Sequence, residues 1–63
     1  MTIGSLVKID FENREDYHVR AMNYRFGYIV RHDQHAAIYY IYIFDYSEVF
    51  DFWEFDVEVV HAC

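Results

Sequence analysis

The second half of this 63-residue chain has no positive charge. All five Lys and Arg residues (Lys8, Arg14, Arg20, Arg25, Arg31) precede residue 32, alongside four acids, whereas residues 32–63 carry seven acids and no base. Phosphate neutralisation dominates nucleic-acid affinity, so this half repels DNA and RNA, and direct nucleic-acid binding is disfavoured. A basic protein surface fits better, through electrostatic steering. The plainer account is that the acids keep a small aromatic-rich protein in solution. There is one cysteine, Cys63, so no internal disulfide can form and a reducing, cytoplasmic setting is expected. No apolar run exceeds nine residues, far short of the roughly 20 a spanning helix needs, so no membrane association is expected. The N-terminus has no basic segment followed by an apolar stretch, and no signal peptide is expected. Proline is absent and there are two glycines.

What the chain has is aromatic side chains, 22% of its residues. Sixty-three residues make one domain near the lower limit for folding without staples, and aromatic burial substitutes for disulfides or a structural metal. The domain spans residues 1–63, with its core over about 4–60. Its organising stretch is Ala36–Phe44, AAIYYIYIF, uncharged and rich in β-branched and aromatic residues. Those residue types suit a pleated, buried surface. Its alternate faces are Ala36, Ile38, Tyr40, Tyr42, Phe44 and Ala37, Tyr39, Ile41, Ile43. Both are apolar, yet a small domain has one interior, so the second face needs a cover from elsewhere.

Around it the alternation predicts further strands at Ser5–Phe11, Tyr24–Arg31, Val49–Phe55 and Val57–Val60. Gly27 inside the second suggests a bulge or sharp bend. The polar tetrads His32–His35 and Asp45–Glu48 read as hairpin connections, and His61–Cys63 as a loose tail. Residues 12–23, five of them charged, read as a loop that can hold one short helical turn. Five short strands give an all-β, mostly antiparallel small barrel.

Four segments carry a resemblance: Gly4-x-Leu6-Val7-x-Ile9, Gly27-Tyr28-Ile29-Val30, Tyr40-x-Tyr42-x-Phe44 and Trp53-x-x-Asp56-Val57-Glu58-Val59-Val60. Together they resemble the Src-homology-3-like small barrels, and among them the very short barrel proteins carried by tailed bacteriophages. The resemblance covers about residues 4–60. It departs from the type at Asp45–Glu48, where such chains have an Asp-Gly-rich turn, and in its more apolar third strand. It implies binding rather than catalysis, in a host cytoplasm or a virion, without fixing a partner.

The chemistry of individual residues points the same way. His32-x-x-His35 and His61-x-Cys63 offer two weak ligand pairs, but they fall in a predicted turn and tail and lack the Cys-x-x-Cys form, so no metal or other cofactor is expected. The carboxylates Asp51, Glu54, Asp56 and Glu58 come without a recognisable nucleophile or oxyanion donors, and no enzyme is expected. Charged faces of edge strands account for them more simply. Tyr28, Tyr39, Tyr40, Tyr42, Tyr46 and Trp53 suit a protein contact surface, because Tyr and Trp are enriched in binding hot spots. About half of them are expected inside the core. IYYIYIF also has the makings of a fibril-forming segment and has to sit mid-sheet under cover, which self-association would supply.

The leading expectation is therefore a non-enzymatic protein–protein interaction module, self-associating or docked on a larger protein through the tyrosine-rich strand face. A minor bacteriophage virion or assembly component is one form of it. The alternative is an acidic phage-encoded inhibitor occupying a nucleic-acid-binding groove of a host enzyme. That alternative requires Asp51, Glu54, Asp56 and Glu58 to share one exposed face. Nucleic-acid binding would instead require Arg14, Arg20, Arg25 and Arg31 to cluster.

Overall fold

The computed structural model describes residues 3–10 and 24–62. The chain is all-β over these residues. β1 (Leu6–Ile9), β2 (Phe26–Asp33), β3 (Ile38–Ile43), β4 (Glu48–Trp53) and β5 (Val57–His61) form one antiparallel sheet in the order β4-β3-β2-β1-β5. A 3-10 turn, Glu54–Asp56, links β4 to β5. The segment expected to carry a helical turn, residues 12–23, lies outside the described residues, as does Cys63.

One face of the sheet is the core. Val7, Ile9, Ile29, Tyr39, Ile41, Ile43 and Phe52 are buried there, with Phe50 and Val57 packed against them. The period of two explains the set, since Ile29, Ile41 and Phe50 share one row across β2, β3 and β4. The fibril-prone β3 has both its edges paired, to β2 and to β4, which leaves no open backbone on it for another chain to join.

The strand ends differ from the sequence reading in informative ways. β3 starts at Ile38 rather than Ala36, and the first hairpin turn is Gln34–Ala37, two residues later than expected. Asp33 Oδ1 accepts a hydrogen bond from the Ala36 amide (3.2 Å), and Ala37 turns the chain at a left-handed φ of 58°. Alanine seldom adopts that conformation, so nothing in its identity announced the turn. His32 and Asp33 consequently belong to β2. β4 stops at Trp53 because residues 54–56 form the 3-10 turn, whose first amide donates to the Ala37 carbonyl (2.9 Å). His61, expected in a tail, pairs with Leu6 in the sheet.

Gly27 is not the bulge. It is buried within regular pairing between Val7 and Ile43, and a Cβ there would collide with the Tyr42 carbonyl and lie 2.9 Å from Ile41 Cγ2. Close backbone approach is what this glycine permits. The register shift in β2 falls between Ile29 and Arg31 instead. One extra residue there resets the alternation, placing Arg31 opposite Tyr40 on the outer face and His32 opposite Tyr39 on the inner one.

Candidate functional site

The face opposite the core carries Tyr28, Tyr40, Tyr42 and Trp53 among aliphatic and charged residues. Its rows follow from the register: Leu6, Tyr28, Tyr42 and Val49 form one, Arg31, Tyr40 and Asp51 the next, and Asp33, Ile38 and Trp53 a third. Within the first row the Tyr28 and Tyr42 ring centroids lie 5.3 Å apart. Phe44, just beyond β3, packs on both at 5.8 and 6.1 Å. Tilted and edge-on contacts at these separations are favourable ring–ring geometries. At the far end Trp53 stacks on Phe55 at 6.2 Å with rings nearly parallel. Tyr40 lies between these clusters and carries the Arg31 guanidinium 5.1 Å from its ring centre.

These side chains are accessible to a partner. Tyr28 keeps 37% of its surface exposed, Trp53 44% and Phe44 46%, while Tyr40 and Tyr42 are half-buried. Exposed aromatic side chains lie toward both ends of this face, with the exposed Arg31 and Asp51 flanking Tyr40 between them. The structure thus gathers Tyr28, Tyr40, Tyr42 and Trp53 on one face. It sends the other two aromatics of the predicted set elsewhere. Tyr39 lies in the core, 6% exposed, and Tyr46 sits in the β3–β4 turn with its ring edge-on to Phe50 and beneath Arg25. Sequence reasoning missed Phe26, Phe44 and Val49 as members of the outer surface, although each shares strand parity with a residue it did choose.

The four acids do not form a common exposed face. Asp51 is on edge strand β4 and Glu58 on the opposite edge strand, β5, where Glu58 pairs with Lys8 (3.3 Å). Asp56 is 4% exposed, and its carbonyl accepts the Asp10 amide at 2.8 Å. Glu54 is engaged by His32, whose Nε2–H donates to the carboxylate. Of the arginines described, Arg25 bonds Asp45 (2.6 Å) and Arg31 lies over Tyr40. Arg14 and Arg20 are outside the described residues. His35 is exposed in the turn. Among the described residues no three His, Cys, Asp or Glu side chains converge, and no helix is long and apolar enough to cross a membrane.

His32, Tyr39 and Glu54 form a small polar cluster where β2 and β3 meet the 3-10 turn. The imidazole stacks on Tyr39 at 4.2 Å. Burial, and secondarily the negative charge of Glu54, raises the Tyr39 phenol above its usual pKa of 10.0. The unfolded chain therefore loses this proton first as pH rises. The resulting stabilisation is complete below pH ~10 and is lost as pH climbs through the folded value. Thermal melts across that range should show alkaline destabilisation in the native chain and a shallower loss in Tyr39→Phe. Parallel curves for the two proteins would mean that Tyr39 is not the responsible group.

No family model matches the chain, and neither the curated proteins nor the solved structures give a significant match.

Proposed function

We propose that this chain is a non-enzymatic protein–protein interaction module that works through the outer face of β2, β3 and β4. One observation carries the reading: Tyr28, Tyr40, Tyr42 and Trp53 come together on the side of the sheet that the core does not use. Tyr and Trp bring large apolar area with few rotamers to freeze, which is why they dominate binding hot spots. The strand order and the 3-10 turn before β5 support a Src-homology-3-like barrel as the scaffold. A minor virion or assembly component remains one form of the proposal. An acidic inhibitor of a nucleic-acid enzyme draws less support, because three of its four acids are paired or buried (Glu54 with His32, Glu58 with Lys8, Asp56 in the interior) and Asp51 lies on the edge strand opposite that of Glu58.

The test is a paired substitution of Tyr40 and Tyr42 to Ser in a tagged chain. Both side chains point away from the core. Because Tyr42 packs on Tyr28 and Phe44, the melting midpoint should fall, so association is compared at a temperature where circular dichroism shows the variant folded. Association, read by solution mass and by capture of a purified partner, should weaken by roughly thirtyfold or more, the scale of a hot-spot loss of about 2 kcal/mol. Undiminished association in a folded variant would rule this face out.

A further inference from the structure

We infer that the occupant of the outer face is a second copy of the same chain, packed sheet against sheet about a two-fold axis that runs along β3. The inference rests on the interaction-face reading and adds the partner's identity. It comes from the Arg31–Tyr40–Asp51 row. A cation and an anion stand one strand to either side of Tyr40, both exposed. Among the described residues neither has an ionic partner. Within one subunit they stand two strand spacings apart, about 10 Å, on either side of the Tyr40 side chain, and they form no ion pair with each other.

A two-fold axis along β3, lying in the plane between two copies, exchanges the strands on either side of it. It sets β2 of one copy over β4 of the other at the same height. Arg31 of each subunit then faces Asp51 of the other, twice over, while Tyr40 and Tyr42 meet their own counterparts. Stacked sheets lie about 10 Å apart, a gap that an Arg and an Asp side chain bridge together. The same operation lays Tyr28 over Val49, apolar against apolar. The pattern is self-complementary, as an isologous interface requires.

A charge exchange tests this arrangement, read by native mass spectrometry and sedimentation over a dilution series through the micromolar range. The native chain should run at twice its 7.7 kDa subunit mass. Arg31→Asp and Asp51→Arg should each weaken the dimer at least tenfold, since each sets like charges opposite one another at both symmetry-related contacts. The double variant carrying both changes should recover the dimer. These are exposed positions, and thermal melts identify any variant that fails to fold. A native chain that stays monomeric overturns the inference, as does a dimer that both single reversals leave intact, which would point to edge pairing through β4 or β5. The two readings separate cleanly. A native monomer that binds a purified protein, and loses it on Tyr42→Ser, removes the second copy but keeps the face. A dimer indifferent to the charge reversals and to Tyr42→Ser removes both.

Discussion

Ile41→Ala should leave most of the chain unfolded at 25 °C. Ile41 is fully buried at the middle of β3, in one row with Ile29 on β2 and Phe50 on β4. Truncating a buried isoleucine costs about 2–5 kcal/mol, the spread reflecting how far the site can collapse. Collapse is restricted here. β3 is tied to a neighbour along both edges, and its other face carries the Tyr40 and Tyr42 side chains, which do not reach through the sheet to fill a hole. A single core of this size seldom supplies more than about 3–5 kcal/mol in total, so the loss is comparable with the whole. Circular dichroism and a thermal melt would read it directly. Ile41→Val, which removes one methylene, should cost about 0.5–1.5 kcal/mol and keep a cooperative transition. If association supplies part of the stability, raising the protein concentration should refold some of the Ala variant by mass action. A cooperative melt for Ile41→Ala within a few degrees of the parent would mean that this row is not the centre of the core.

The contrast with Tyr40 and Tyr42 shows how one strand holds two roles. Ile41 builds the fold, while its neighbours on either side present a surface. The sequence displays that division only in part. Alternation was plain along β3, and the two faces it defines are the two observed, because side-chain parity in a strand does not depend on tertiary context. Which face turned inward was less plain. Tyr39 and Tyr40 are adjacent and chemically identical, and the only clue was company: Tyr39 shares parity with Ile41 and Ile43, whereas Tyr40 shares it with Tyr42 and Phe44. Ends of strands were harder still. The first turn depends on an alanine in a left-handed conformation and on one side-chain bond from Asp33, and neither has a compositional signature. The bulge between Ile29 and Arg31 was invisible for the same reason, yet it puts Arg31 on the aromatic face and His32 against Tyr39. The acid-rich second half misled in the opposite sense. Its charge is real, but the fold disperses it, burying Asp56 and setting Glu54 against His32.

Gly27→Ala should lower the melting temperature by some 10 °C or more, although it adds one methyl group. Most glycine-to-alanine changes at negative φ stabilise slightly by restricting the unfolded chain. Here the added carbon has nowhere to go. It would overlap the carbonyl of Tyr42, a backbone atom of the neighbouring strand, and would press on Ile41 Cγ2 at 2.9 Å. A flexible side chain could swing aside, but β3 cannot move that carbonyl without disturbing its pairing with β2 and β4. Overpacking of this kind costs about 1–3 kcal/mol and occasionally more, and each kcal/mol moves the midpoint of so small a domain by about 4–8 °C. The displacement also has a direction that matters for function. Pushing β3 away from β2 at this point separates Tyr28 from Tyr42, whose ring contact anchors the outer face directly behind Gly27. Near-ultraviolet circular dichroism, which senses fixed aromatic rings, should therefore fall in the variant at temperatures where the far-ultraviolet sheet signal persists. Association should weaken along with it. An alanine variant that melts with the parent would show that β2 and β3 are not so closely apposed at Gly27, and the ordering of the aromatic face would need another cause.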